Sequence, residues 1–134
     1  MCMDMNAHDW ALAAAGLIGG GVAVIHGALT QRLMVRPVRA DGRTPAIFRR
    51  LVPALLHFST YNWLLGGAAL VVVAVAAVGP DARLATGLLV GSSYLFAVVG
   101  NAWATRGRHP GWMLYAVALV LIGYGLGPEL LAGI

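Results

Sequence analysis

The side chains able to do chemistry are few, and most stand inside long apolar runs. His26 and His57 supply two imidazoles there, with Tyr61, Asn101 and Tyr115 as further polar groups. The densest stretch is Leu55-Leu56-His57-Phe58-Ser59-Thr60-Tyr61-Asn62-Trp63, which mixes an imidazole, hydroxyls, a phenol, an amide and an indole with leucines and a phenylalanine. Polar groups in hydrocarbon are costly, so they are expected to face protein, a cavity or a ligand.

Several chemistries can be weighed on these residues. Two imidazoles invite bis-histidine haem ligation, which needs a gap wide enough for a flat macrocycle. The glycines around His26 argue for close packing instead, and no Cys-x-x-Cys-His is present. Haem is disfavoured, and no cofactor or metal is expected. Proton-coupled transport commonly uses a carboxylate within the span. Asp4, Asp9, Asp41, Asp81 and Glu129 all stand outside the apolar runs. A histidine-driven antiporter has no further support, and the small multidrug exporters, which rely on a glutamate in their first helix, are not matched. His57 and Ser59 are two apart and diverge on a helix, so they form no dyad. The Arg- and Asn-containing motif of the membrane glutathione-transferase-like family is not visible. Cys2 is the only cysteine, which excludes an internal disulfide, a thiol pair and a quinone-reductase-like site. No enzyme activity and no catalytic residue are assigned.

The composition explains why these groups are surrounded by apolar residues. Of 134 residues, 60% are hydrophobic and 10% charged, whereas about a quarter is charged in a soluble domain. The net charge of +4 comes from arginine alone, with no lysine. Most arginines cluster in two short segments, the pattern of membrane topology and not of a nucleic-acid face.

The expected fold is all-α: a single domain, polytopic, with four transmembrane helices in an antiparallel bundle at about 10–29, 51–78, 84–104 and 111–127. Arg32, Arg36, Arg39, Arg43, Arg49 and Arg50 face Asp41 alone in the first connection, and Arg106 and Arg108 lie in the third. The positive-inside rule puts both connections in the cytoplasm, both termini outside, and the arginines near anionic lipid headgroups. The start carries no basic residue, so helix 1 is expected to remain as an anchor and not to be cleaved. Asp9 is expected to cap helix 1, and Thr44-Pro45 to open a short interfacial turn over Ala46–Val52. His109 and Pro110 are expected to cap and start helix 4.

Small residues mark the expected packing faces. Gly16, Gly19, Gly20, Ala23 and Gly27 share a face of helix 1. Gly87, Gly91, Tyr94 and Asn101 do so on helix 3, and Ala116, Val120, Gly123 and Gly127 on helix 4. On helix 2, His57, Thr60 and Tyr61 fall on one side, and Ser59, Asn62, Trp63 and Gly66 on roughly the other. Gly16, Gly20, Ser59, Asn62, Trp63, Gly87, Gly91, Gly123 and Gly127 are the candidate helix-packing or partner residues.

Counted at about 1.5 Å per residue, His26 lies about 6 Å and His57 about 9 Å from the inner helix ends, with Asn101 and Tyr115 at similar depth. His26, His57, Tyr61, Asn101 and Tyr115 are thus a candidate inward-facing polar pocket. The plainer reading is an interhelical hydrogen-bond network, each bond worth about 0.6 kcal/mol in a membrane. The expected function is association, as a homo-oligomer or as an accessory subunit of a larger membrane complex. The alternative is a small-molecule carrier or sensor built around His57, with haem or quinone less favoured as its ligand.

Ile25-His26-Gly27, the Leu55–Trp63 stretch and Arg108-His109-Pro110-Gly111-Trp112 together resemble a group of small four-helix bacterial inner-membrane proteins of unknown function. That group carries a Trp-His pair early in helix 2, where this chain has Leu56 before His57. The resemblance implies a fold and a bacterial inner-membrane location, and carries over no catalytic residue.

Overall fold

A computed structural model describes residues 5–76 and 78–132; Cys2 and Asp4 lie outside them. The described residues are helical, with no strand. Helix α1 runs from Ala7 to Ala40, α2 from Ala46 to Val75, α3 from Pro80 to Ala104 and α4 from Gly111 to Gly125. A short helix α5, Gly127–Ala132, follows. The first three are long and apolar enough to cross a membrane, and α4 is a shorter apolar helix. Each long helix packs on its successor and α4 returns to α1, so the four close into a ring.

Burial follows the requirements of a lipid solvent. Small and aromatic residues fill the centre, among them Ala15, Ala23, Tyr94, Tyr115 and Ala118. Large apolar side chains such as Leu17, Leu89, Phe96 and Val120 are exposed along the helices. In water such an apolar exterior would drive association or aggregation; in a bilayer it is the ordinary outer surface.

Several helix ends differ from expectation. The α1 N-cap is Asn6, not Asp9. The Asn6 side chain accepts from His8 and Asp9 backbone N–H groups, and Asp9 Oδ2 accepts from the Asn6 N–H. This is a capping box with Asn and Asp in its two roles. Much of the expected arginine-rich loop is helix. After Thr30, α1 widens into a π-turn, Gln31–Val35, then regains α-geometry over Arg36–Ala40. Pro37 gives the reason. It offers no N–H and would crowd a carbonyl one regular turn back, and a wider turn relieves both. The Arg36 N–H accordingly reaches the Gln31 carbonyl, five residues back.

Ala46–Val52 is likewise not a separate turn but the start of α2. Its N-cap is Pro45, and the Thr44 hydroxyl donates to Asp41 Oδ2 at 2.6 Å instead of capping the helix. The helix expected to start at Leu84 starts earlier: Pro80–Arg83 is already the first turn of α3. Helix 4 begins at Gly111 as its bounds predict, with Pro110 and not His109 as N-cap, and the His109 ring Nδ1 accepts from the Gly111 N–H.

The glycine faces are used unevenly. Gly16 and Gly67 bring α1 and α2 backbone to backbone: a Cβ on Gly67 would lie 2.6 Å from the Gly16 carbonyl oxygen and 2.9 Å from the Gly20 nitrogen. A Cβ on Gly19 would land on the Tyr94 hydroxyl, and one on Gly87 on the Leu126 side chain. A Cβ on Gly91 would make only ordinary contact with Ile122 and Leu119, and one on Gly127 with His8. Gly123 packs on no helix of the bundle: it is exposed, with open space where a side chain would go. The buried stripe of α4 is Tyr115, Ala118, Ile122 and Gly125, and Val120 is 72% exposed. Its aromatic and branched residues set that face, so a search for small residues alone misplaces it.

Candidate functional site

Four rings form a column through the centre of the bundle. His26 of α1 meets the Trp63 edge at 4.8 Å between centroids, Trp63 meets Tyr115 at 5.2 Å, and Tyr115 meets Tyr94 at 4.8 Å. Each helix contributes one ring. Tilted aromatic contacts at such distances are favourable beyond the area they bury. The Tyr94 hydroxyl donates to the Trp63 carbonyl at 3.4 Å, while the Tyr115 hydroxyl is buried without a partner. Trp63 is 6% exposed, so it belongs to the bundle interior and not to an outer partner face.

Beside this column lies a cavity of about 180 Å³ lined by α1, α3 and α4. His26, Asn101, His109 and Tyr115 supply its polar residues, and Val22, Ile25, Leu29 and Leu114 much of its apolar wall. His26 Nε2 lies 3.3 Å from the Thr30 hydroxyl, and the Asn101 amide donates to the Ala97 carbonyl of its own helix. Of the five residues of the sequence-based pocket, His26, Asn101 and Tyr115 line this cavity together.

His57 and Tyr61 do not join them. The His57 Nε2–H donates to Gln31 Oε1 at 2.9 Å, tying α2 to the π-turn of α1. Tyr61 is 61% exposed on the outer surface. Depth counted from assumed helix ends misled here. With α1 ending at Ala40 and α2 starting at Ala46, His26 and His57 stand about 21 Å and 17 Å from those ends. Depth also says nothing about direction around the helix. Within α2, Ser59 donates to the Leu56 carbonyl of its own helix and glues nothing. Asn62 does bridge, donating to the Ser93 hydroxyl of α3 at 2.8 Å. That pair stands on an outer groove of about 340 Å³ between α2 and α3, with Gly66, Thr86 and Ser92 nearby.

The sequence reading missed a third site, at the opposite end from the arginine-rich segments. Arg83 donates through Nε to Glu129 Oε1 and through Nη1 to Asp9 Oδ1, each at 2.8 Å. Nη1 also reaches the Val73 carbonyl at 3.2 Å. One guanidinium thus ties α1, α2, α3 and α5 together. All three charged side chains are largely buried, and Glu129 Oε2 has no partner. One partial signal was available: Arg83 is the one arginine outside the two arginine-rich segments, though its partners Asp9 and Glu129 lie far from it in the sequence. Beside this clasp, the His8 Nδ1–H donates to the Tyr124 carbonyl at 2.8 Å and the two rings stack. Among the described residues, no three His, Cys, Asp or Glu side chains gather as a metal site.

No family model matches the chain, and neither the curated proteins nor the solved structures include a significant match to it.

Proposed function

We propose that this is a small inner-membrane protein of a bacterium that works by association, pairing with a second copy of itself through the α2–α3 face. In this reading α4 is the fourth span, the arginine-rich end faces the cytoplasm and both termini face out. The observation that carries it is the Asn62–Ser93 pair, a polar contact left on the outer surface of apolar helices. An amide exposed to lipid gains by meeting another polar group, and small residues beside it let a second backbone approach. A two-fold axis would set Asn62 against its own copy, where an amide both donates and accepts.

Native mass spectrometry from lipid nanodiscs should give dimers, depleted by Asn62→Leu with Ser93→Ala. Asn62→Cys in a Cys2→Ser background should crosslink to its copy. Monomers alone, or dimers indifferent to these changes, would overturn the pairing. A co-purifying larger membrane protein seated on this face would instead make the chain an accessory subunit.

A second reading is favoured by the cavity beside the aromatic column. In it the protein carries or senses a small molecule, with His26 and not His57 as the central polar contact. Its test is extraction of small molecules from protein purified in native lipid particles. A species retained by wild type and lost in His26→Leu, with assembly intact, supports it; no retained species refutes it.

A further inference from the structure

Nine arginines serve this chain, and only Arg83 is paired with a carboxylate among the described residues. Three of the others converge. Arg39, in the last turn of α1, and Arg49 and Arg50, in the first turns of α2, line one concavity of about 370 Å³ together with Ala46. The nearest acid in sequence, Asp41, is already engaged: its carboxylate accepts from the Thr44 hydroxyl at 2.6 Å and from the Arg43 N–H at 3.0 Å. Asp41 keeps its charge and acts on Arg49 at longer range, but among the described residues it forms no ion pair with Arg39, Arg49 or Arg50, so three guanidinium groups share at most one distant carboxylate.

Two further features give it direction. The start of α2 lies at the same place, capped by Pro45 with no side-chain bond. The Phe48 and Arg49 N–H groups donate to the Pro45 carbonyl, which leaves the Ala46 and Ile47 N–H groups at the helix start, where an anion is favoured. A second groove, of about 550 Å³, adjoins the first and shares Ala46 and Arg50 with it. Its remaining walls are Ile47, Leu51 and Ala54, all exposed. A charged basin thus lies beside a shallow apolar trough on the surface of α2.

We infer that this pair of grooves is a seat for one anionic phospholipid, its phosphate held by Arg39, Arg49 and Arg50 and an acyl chain laid along Ile47, Leu51 and Ala54. Guanidinium groups match phosphate oxygens in paired hydrogen bonds, which ammonium groups do not. A soluble phosphate would satisfy the basin but has no use for the trough. A neutral zwitterionic lipid would fit the trough but bring its own cation to three arginines. The inference rests on the bundle lying in a bilayer, and is independent of how α2 and α3 pair.

The test uses the full chain in detergent, titrated with phosphatidylglycerol or with phosphatidylcholine of the same acyl chains and read by native mass spectrometry. One phosphatidylglycerol should be retained per chain, at least tenfold more tightly than phosphatidylcholine. The triple change Arg39→Gln, Arg49→Gln, Arg50→Gln should abolish that preference. Arg36→Gln, Arg106→Gln, Arg108→Gln removes the same charge elsewhere and should leave it intact. Ile47→Ser with Leu51→Ser should weaken retention severalfold with the arginines untouched. Inorganic phosphate at ten millimolar should not displace the lipid. Equal retention of the two lipids would overturn the inference. So would equal damage from the two arginine triples, which would mean a diffuse field, or ready displacement by phosphate, which would mean a free-anion site. Melting of each variant in phosphatidylcholine nanodiscs reports folding separately from lipid binding.

Discussion

The two ends of this bundle are built on opposite plans. At the Asp9 end every helix is tied. Arg83 gathers Asp9, Glu129 and the Val73 carbonyl, and glycines at 16, 67, 87 and 125 let neighbours press into the backbone. At the arginine-rich end the ties are single hydrogen bonds, a cavity opens between α1, α3 and α4, and the arginines are left without carboxylate partners. The contrast teaches where to look for each property. Resistance to unfolding is expected to concentrate at the clasped end, and the proposed ligand and lipid surfaces lie at the other.

The sharpest way to break this contrast is Arg83→Met. It leaves Asp9 and Glu129 buried without their cation, a loss of about 3–5 kcal/mol. The measure is the unfolding midpoint in mixed micelles, and Arg50→Met at the other end should leave it unchanged. Equal effects would erase the distinction. Gly67→Val comes next. Its side chain would meet the Gly16 backbone, which cannot swing aside as a side chain can. Forcing α1 and α2 apart should cost about 1–3 kcal/mol in the same assay.

His57→Leu removes the one side-chain hydrogen bond between α2 and the π-turn, and should cost only about 0.6 kcal/mol. Its larger consequence should be local: faster amide exchange over Gln31–Val35, with Gly16 and Gly67 unaffected. Gly123→Ala should be neutral or gain up to about 1 kcal/mol, because the helix benefits and the added methyl meets nothing. A clear loss would mean that the exposed α4 face is covered by a partner.

The smallest effect expected is on pH. The Thr44 hydroxyl, then the Arg43 N–H, then the Arg49 charge hold the Asp41 carboxyl below its ordinary range. A lowered value in the folded state means that the contribution is complete above about pH 4 and lost as pH falls through the lower folded value. Amide exchange in the connection around Asp41 should quicken on acidification through that window. Asp41→Asn should make it quick at every pH.

Much of the fold was legible because lipid imposes a simple code. Long apolar runs named the helices, and helical spacing named Gly16, Gly20, Gly87 and Tyr94 as contact positions. Helix ends were less legible. Arginines at 32 to 39 read as loop because charge interrupts the apolar run, yet nothing in that segment opposes helix except Pro37, and a π-turn absorbs it. Thr44 had a stronger partner in Asp41 than in the helix it was expected to cap. For the candidate site, residue type was informative and direction was not. His26, Asn101 and Tyr115 line one cavity, while Tyr61 faces outward and His57 was claimed by Gln31. Neither outcome follows from depth along a helix, because each depends on which neighbour the side chain meets around it. The Arg83 clasp joins positions far apart in the chain, and no local pattern encodes that meeting.

That π-turn also acts as a phase shift. A wide turn holds one more residue than a regular one, and each residue carries a helix round by about 100°. Arg36 and Arg39 therefore project more than a quarter turn away from where an unbroken α1 would send them. Of the five residues Gln31–Val35 only Arg32 is charged, yet together they set the compass bearing of the helix's terminal cations. Removing one residue there would keep every arginine in the protein and point Arg39 elsewhere.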